Sequence, residues 1–144
     1  MALNFEKYAL EGNSFIRDLA ENMGHPQETA RAGIILRAVL HTLRERITLS
    51  ESLNLISQLP VFLKGVYADN WKYSEKPIDV KTKEDFYSEV EIFQSLYGEK
   101  DFNWKLSTGH IVKTVFSTLG KYISQGEIED IITESAKELK EVIL

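Results

Sequence analysis

The sequence predicts an all-α bundle of about six helices, arranged as two pseudo-symmetric three-helix repeats that share one core. Three observations carry that reading. Apolar residues recur at helical spacing along most of the 144 residues, and the alternation of a half-buried strand is absent. The stretch Gly33 to Val66 lies on Gly109 to Val142 without a gap, at a constant offset of 76 (109 − 33 = 142 − 66); self-similarity at a fixed period marks one supersecondary unit built twice. The helix-start signal repeats with the core, because Thr48 precedes Glu51 as Ser124 precedes Glu127, the spacing of a capping box.

The matched positions are mostly apolar: Ile35/Ile111, Val39/Val115, Leu43/Leu119, Ile47/Ile123, Leu55/Ile131, Ile56/Ile132, Leu63/Leu139 and Val66/Val142. They describe one single-domain core spanning 1–144, with repeat 1 over about 4–67, a connection over 68–81 and repeat 2 over about 82–144.

The first helix is expected from Asn4 to Met23, through Phe5, Tyr8, Phe15, Ile16 and Leu19, with a bend or split at Gly12-Asn13. Gly24-His25-Pro26 stops it, and Pro26 suits the first position of the second helix, about Gln27 to Arg46. That helix carries a broad apolar face, as a central element would, and a basic polar side of Arg37, His41 and Arg44 beside Glu45. The third, about Ser50 to Tyr67, contains Pro60, so a kink is expected near Ile56 and Ser57. Ala68 to Lys81 lacks helical period and connects the halves. Helix four starts after Thr82, with Asp85 three residues on, and ends at Gly98; helix five covers about Asn103 to Ile123 and helix six Gln125 to Leu144.

The run Leu36-Arg37-Ala38-Val39-Leu40-His41-Thr42-Leu43-Arg44-Glu45-Arg46-Ile47, then Gln58-Leu59-Pro60, then Lys64-Gly65-Val66-Tyr67 with Trp71 close behind, resembles the bacterial family catalogued as domain of unknown function 2267. The resemblance takes in nearly the whole chain. It implies a small helical bundle of tandem three-helix repeats in a prokaryotic cytosolic protein, and it supplies no activity and no functional residue. In the second copy Lys113, Ser117, Gly120 and Tyr122 stand where the first has Arg37, His41, Arg44 and Arg46, so the copies do not share a polar surface.

Composition narrows the function classes. With 17 basic and 22 acidic residues the net charge is −5, and the local Lys/Arg density that neutralises nucleic-acid phosphates is missing, so no nucleic-acid partner is expected. Zero cysteines exclude disulfides, thiolate nucleophiles and sulfur-ligated metals. Neither a basic segment followed by an apolar run nor an apolar stretch long enough to span a bilayer is present, so a cytoplasmic protein without membrane contact is expected.

The histidines, His25, His41 and His110, do not fall at ligand spacing, and no HExxH or EF-hand pattern accompanies them. No metal, cofactor or catalytic residue is expected. Glu127, Asp130 and Glu134 share a helix face, but Lys137 and Lys140 follow closely, the pattern of a solvated face. Arg37, His41 and Glu45 fall one helical turn apart; they suit an anion-binding pair or a general base, or else a solvated or buried hydrogen-bonding set that orders the bundle. Tyr67, Trp71 and Tyr73 gather aromatics at the joint between halves, as a partner anchor or as a plug in the seam.

The candidate partner- or ligand-binding residues are therefore Arg37, His41, Arg44, Tyr67 and Trp71. The leading reading is a non-enzymatic module for an unknown protein or small ligand. The alternatives are an enzyme or cofactor-binding protein with a polar pocket around His41 at the seam, and a structural homo-oligomer, for instance a homodimer.

Overall fold

A computed structural model describes residues 3–73, 82–99 and 106–123. Within them the chain forms six helices and no strand: α1 (Phe5–Asn22), α2 (Thr29–Arg46), α3 (Leu49–Gln58), α4 (Val61–Ala68), α5 (Lys83–Leu96) and α6 (Thr108–Leu119). The predicted sixth helix, its Ser124–Glu127 cap and the acidic run beyond it lie outside the described residues.

Helix α2 is the hub, packing against α1, α4, α5 and α6. Its stretch from Ile35 to Arg44 is buried at every position except Arg37. Such a helix needs apolar residues around most of its circumference, which is why its sequence is nearly unbroken by charge between Ala32 and Val39. Around it the core is filled by Phe15 and Leu19 of α1, Leu63 and Tyr67 of α4, Phe86 and Val90 of α5, and Val112 and Val115 of α6.

Several ends form as local chemistry dictates. Thr48 accepts from the Glu51 N–H at 3.2 Å while the Glu51 carboxylate accepts from the Thr48 N–H at 2.8 Å, and Thr82 and Asp85 make the same reciprocal pair for α5. Helices α1 and α5 both close in Schellman motifs. Gly24 and Gly98 take φ of 82° and 108°, values that only glycine adopts without strain, and His25 and Glu99 donate back to Ala20 and Gln94, each at 2.9 Å.

Other boundaries differ from expectation. Gly12 does not split α1, which runs unbroken through it. The position faces α4, and a Cβ there would stand 3.4 Å from Phe62. Pro26 does not open α2: the Glu28 N–H donates to the His25 carbonyl at 3.0 Å, so Pro26 occupies the second position of a turn, where its fixed φ is equally suited, and the helix begins at Thr29. The kink expected at Pro60 is a full break. Leu59, forced out of the helical region by the following proline, is extended at φ −74°, ψ 145°. Pro60 then accepts from Leu63 and Lys64 at the start of a separate helix. Helix α6 starts at Thr108, not Asn103, because Ser107 is extended and caps it by accepting from His110 at 3.1 Å.

Four apolar pairs of the sequence self-match have both members among the described residues. Ile35/Ile111, Val39/Val115, Leu43/Leu119 and Ile47/Ile123 are buried in both. Thr42 and Thr118, also buried, each turn the hydroxyl onto the carbonyl four residues earlier, at 2.7 and 2.8 Å. The paired glycines are not equivalent. A Cβ on Gly109 would stand 3.0 Å from the Tyr87 ring, whereas a Cβ on Gly33 meets nothing within 4 Å.

That contrast yields a stability prediction. Gly33→Ala fills open space and removes a mid-helix glycine, so it should stabilise by about 0.5–1 kcal/mol. Gly109→Ala must push the Tyr87 ring aside and should not stabilise. Urea denaturation of both variants checks this; equal gains would contradict it.

Candidate functional site

All five residues singled out in the sequence converge on one segment, the C-terminal end of α4 and the turn that follows it. A helix leaves its last four carbonyls without intrahelical donors. Here α2 supplies donors from the side. His41 Nε2 lies 2.7 Å from the Val66 carbonyl, which can only accept, so Nε2 carries the proton. Nδ1 is then the acceptor for the Tyr97 hydroxyl, 2.5 Å away. Arg44 Nη1 donates to the carbonyls of Tyr67 at 2.8 Å and Asp69 at 2.7 Å. The Trp71 N–H returns to the Ala68 carbonyl at 3.1 Å, closing a turn in which Asp69 sits at φ −58°, ψ 126° and Asn70 at φ 53°. These are the values of a type II turn, and asparagine tolerates the left-handed position.

His41 and Arg44 are 1% and 6% exposed. On the basic side of α2, His41 and Arg44 therefore form the buried hydrogen-bonding set, one of the two structural readings of this face, while Arg37 stays at the surface. Burial is affordable for the guanidinium because it points at carbonyls at the negative end of a helix, with Glu45 Oε1 3.5 Å from Nε. For His41, burial is the main influence; the Val66 hydrogen bond opposes it, Arg44 and Arg37 add to it, and the result holds the imidazole down at about 4. Both ring nitrogens are occupied by protein partners.

Tyr67 is fully buried, its hydroxyl 2.7 Å from Ser52 Oγ, and burial raises its ionisation above the usual tyrosine range. Its ring belongs to the core and its carbonyl to the cap. Trp71 is half-buried and packs edge-on against Tyr67 on one side, at 5.9 Å between centroids, and Tyr73 on the other, at 6.5 Å. Arg37 is the member left at the surface. Its Nη2 pairs with Asp69 Oδ2 at 3.0 Å, and its guanidinium lies 5.7 Å from the centre of the Tyr97 ring.

Arg37 also borders a groove of about 270 Å³. The floor is a stripe of α2, Ala30, Gly33, Ile34 and Arg37, spaced i, i+3, i+4 and i+7, that none of the described helices covers. Ile16 of α1, Val66 of α4 and Tyr97 after α5 form the walls. The sequence does not single out Gly33, Ile34 or Tyr97 as candidates; Gly33 enters there only as the start of the self-match. The available signal was a glycine inside a strong helix, which costs stability unless space is needed there. His41 does not line this groove.

A model of the family described as "Uncharacterized conserved protein (DUF2267)" matches residues 12–142. The chain belongs to that family. Two of the three runs that carry the resemblance, the one around His41 and Arg44 and the one from Val66 to Trp71, are the two halves of the cap. No curated protein matches the sequence. Among the described residues, no group of three or more His, Asp or Glu could hold a metal ion, and no helix is long and apolar enough to cross a membrane.

Two outcomes follow from the cap. Arg44→Met strands the carbonyls of Tyr67 and Asp69 without a donor and should cost about 2–4 kcal/mol in chemical denaturation. His41 ionises near 6.5 when unfolded and about 4 when folded, so the stability tied to its neutral state is complete above pH 6.5. It is lost as the pH falls through that interval, by about 3 kcal/mol in all. Denaturation midpoints between pH 6.5 and 5 should fall more steeply for the parent than for His41→Gln; parallel curves would refute the assignment.

Proposed function

We propose that this protein is a non-enzymatic interaction module that seats an apolar, acid-bearing group of a small ligand or partner in the α2 groove. The observation that carries the reading is the juxtaposition of an uncovered apolar stripe with a positioned guanidinium. Ala30, Gly33 and Ile34 offer apolar floor, and Gly33 leaves open the space a side chain would fill. Arg37 stands at the end of that floor, its plane supported by Tyr97. Binding sites commonly combine a largely apolar surface with one or two oriented polar groups.

The geometry of His41 supports an interaction role over catalysis. A general base needs a nitrogen within reach of a substrate proton, and both of its nitrogens are bonded inside the protein. The polar set that the sequence placed at a seam pocket holds α4 in place instead.

The test is a titration followed by amide NMR, using hexanoate and the isosteric hexanamide. Hexanoate should shift Gly33, Ile34 and Arg37 and bind more tightly than the amide. Gly33→Leu, which fills the floor, should reduce that binding at least tenfold. Shifts elsewhere, or none, would count against the groove.

A further inference from the structure

We infer that Asp69 is an internal competitor for the groove, occupying with its own carboxylate the position on Arg37 that the acid group of a ligand would take. The inference rests on the groove reading above and concerns how that site is regulated. Asp69 reaches Arg37 because the cap places it there. Its carbonyl is held by Arg44 at 2.7 Å, its backbone lies at the second position of the tight turn, and its carboxylate consequently meets Arg37 Nη2 at 3.0 Å.

The pair is suited to exchange. Both side chains are partly open to water, at 44% and 40% exposure, and an exposed ion pair of this kind contributes little to stability. Asp69 can turn outward without disturbing the cap, which uses only its carbonyl. Arg37 keeps its orientation when it loses Asp69, since its guanidinium also rests on Tyr97, whose hydroxyl is anchored on His41. A guanidinium offers five N–H donors, and the partner it holds now is a carboxylate beside an apolar floor. The complementary ligand is therefore an aliphatic or aromatic carboxylate whose apolar part covers Gly33 and Ile34 and whose acid group displaces Asp69.

Hexanoate titrations of the parent, Asp69→Asn, Asp69→Ser and Arg37→Gln test this, read from the Gly33 and Ile34 amides and the Arg37 Nε–H resonance. Removing the competitor should tighten hexanoate binding about two- to fivefold in both Asp69 variants, the range set by an exposed ion pair that no longer has to be broken. Hexanamide affinity should be unaffected, and Arg37→Gln should lose the preference for the acid. Equal hexanoate affinity in the parent and the Asp69 variants, with shifts still at the groove, would overturn the competitor while leaving the groove standing. No shift at Gly33 and Ile34 in any variant would overturn the groove reading and the competitor with it.

Discussion

The fold depends on how the end of α4 is satisfied. The chain breaks at Pro60, so α4 is a helix of only eight residues, too short to be stable on its own account. Its C-terminal carbonyls fall beside α2, where water is excluded and an unpaired carbonyl would be costly. His41 and Arg44 supply the missing donors, and in doing so they fix the position of α4 along α2, orient the turn through Asp69 and Asn70, and bring Tyr67 into the core against Ser52.

This arrangement explains why the two copies of the repeat diverge on their polar sides while agreeing in their cores. Ser117 on α6 and Gly120 at its C-cap, the counterparts of His41 and Arg44, are exposed. The buried pairs from Ile35/Ile111 to Ile47/Ile123 need only apolar bulk and so tolerate repetition. A charged cap needs a carbonyl acceptor at the right place, and among the described residues α2 alone has that combination. Of the set Arg37, His41 and Arg44, two members are therefore taken up by architecture, and Arg37 is the one left at the surface.

Local features were legible because their causes lie within a few residues. The Thr48–Glu51 and Thr82–Asp85 capping boxes formed as their spacing required, and Gly24 and Gly98 closed their helices. Pro60 was recognised as a disturbance, but whether a helix kinks or breaks depends on whether the next turn can be capped and packed separately. Pro26 and Gly12 depart from the local reading because proline serves a turn as well as a helix start, and a single glycine weakens a helix without having to break it. Of the five candidate residues, which the sequence divides between the polar side of α2 and the aromatic joint, three, His41, Arg44 and Tyr67, turn inward.

The sequence by itself determined the helical class, the family and many of the core positions, because periodicity, caps and apolar spacing are recorded within a single chain segment. Only the tertiary structure decided which side of α2 meets the Val66 to Asn70 carbonyls and which stripe stays open. Those carbonyls lie 25 or so residues away along the chain and carry no side-chain signature. Among the described residues no helix crosses the stripe beside Gly33, a property of packing that no window of sequence contains.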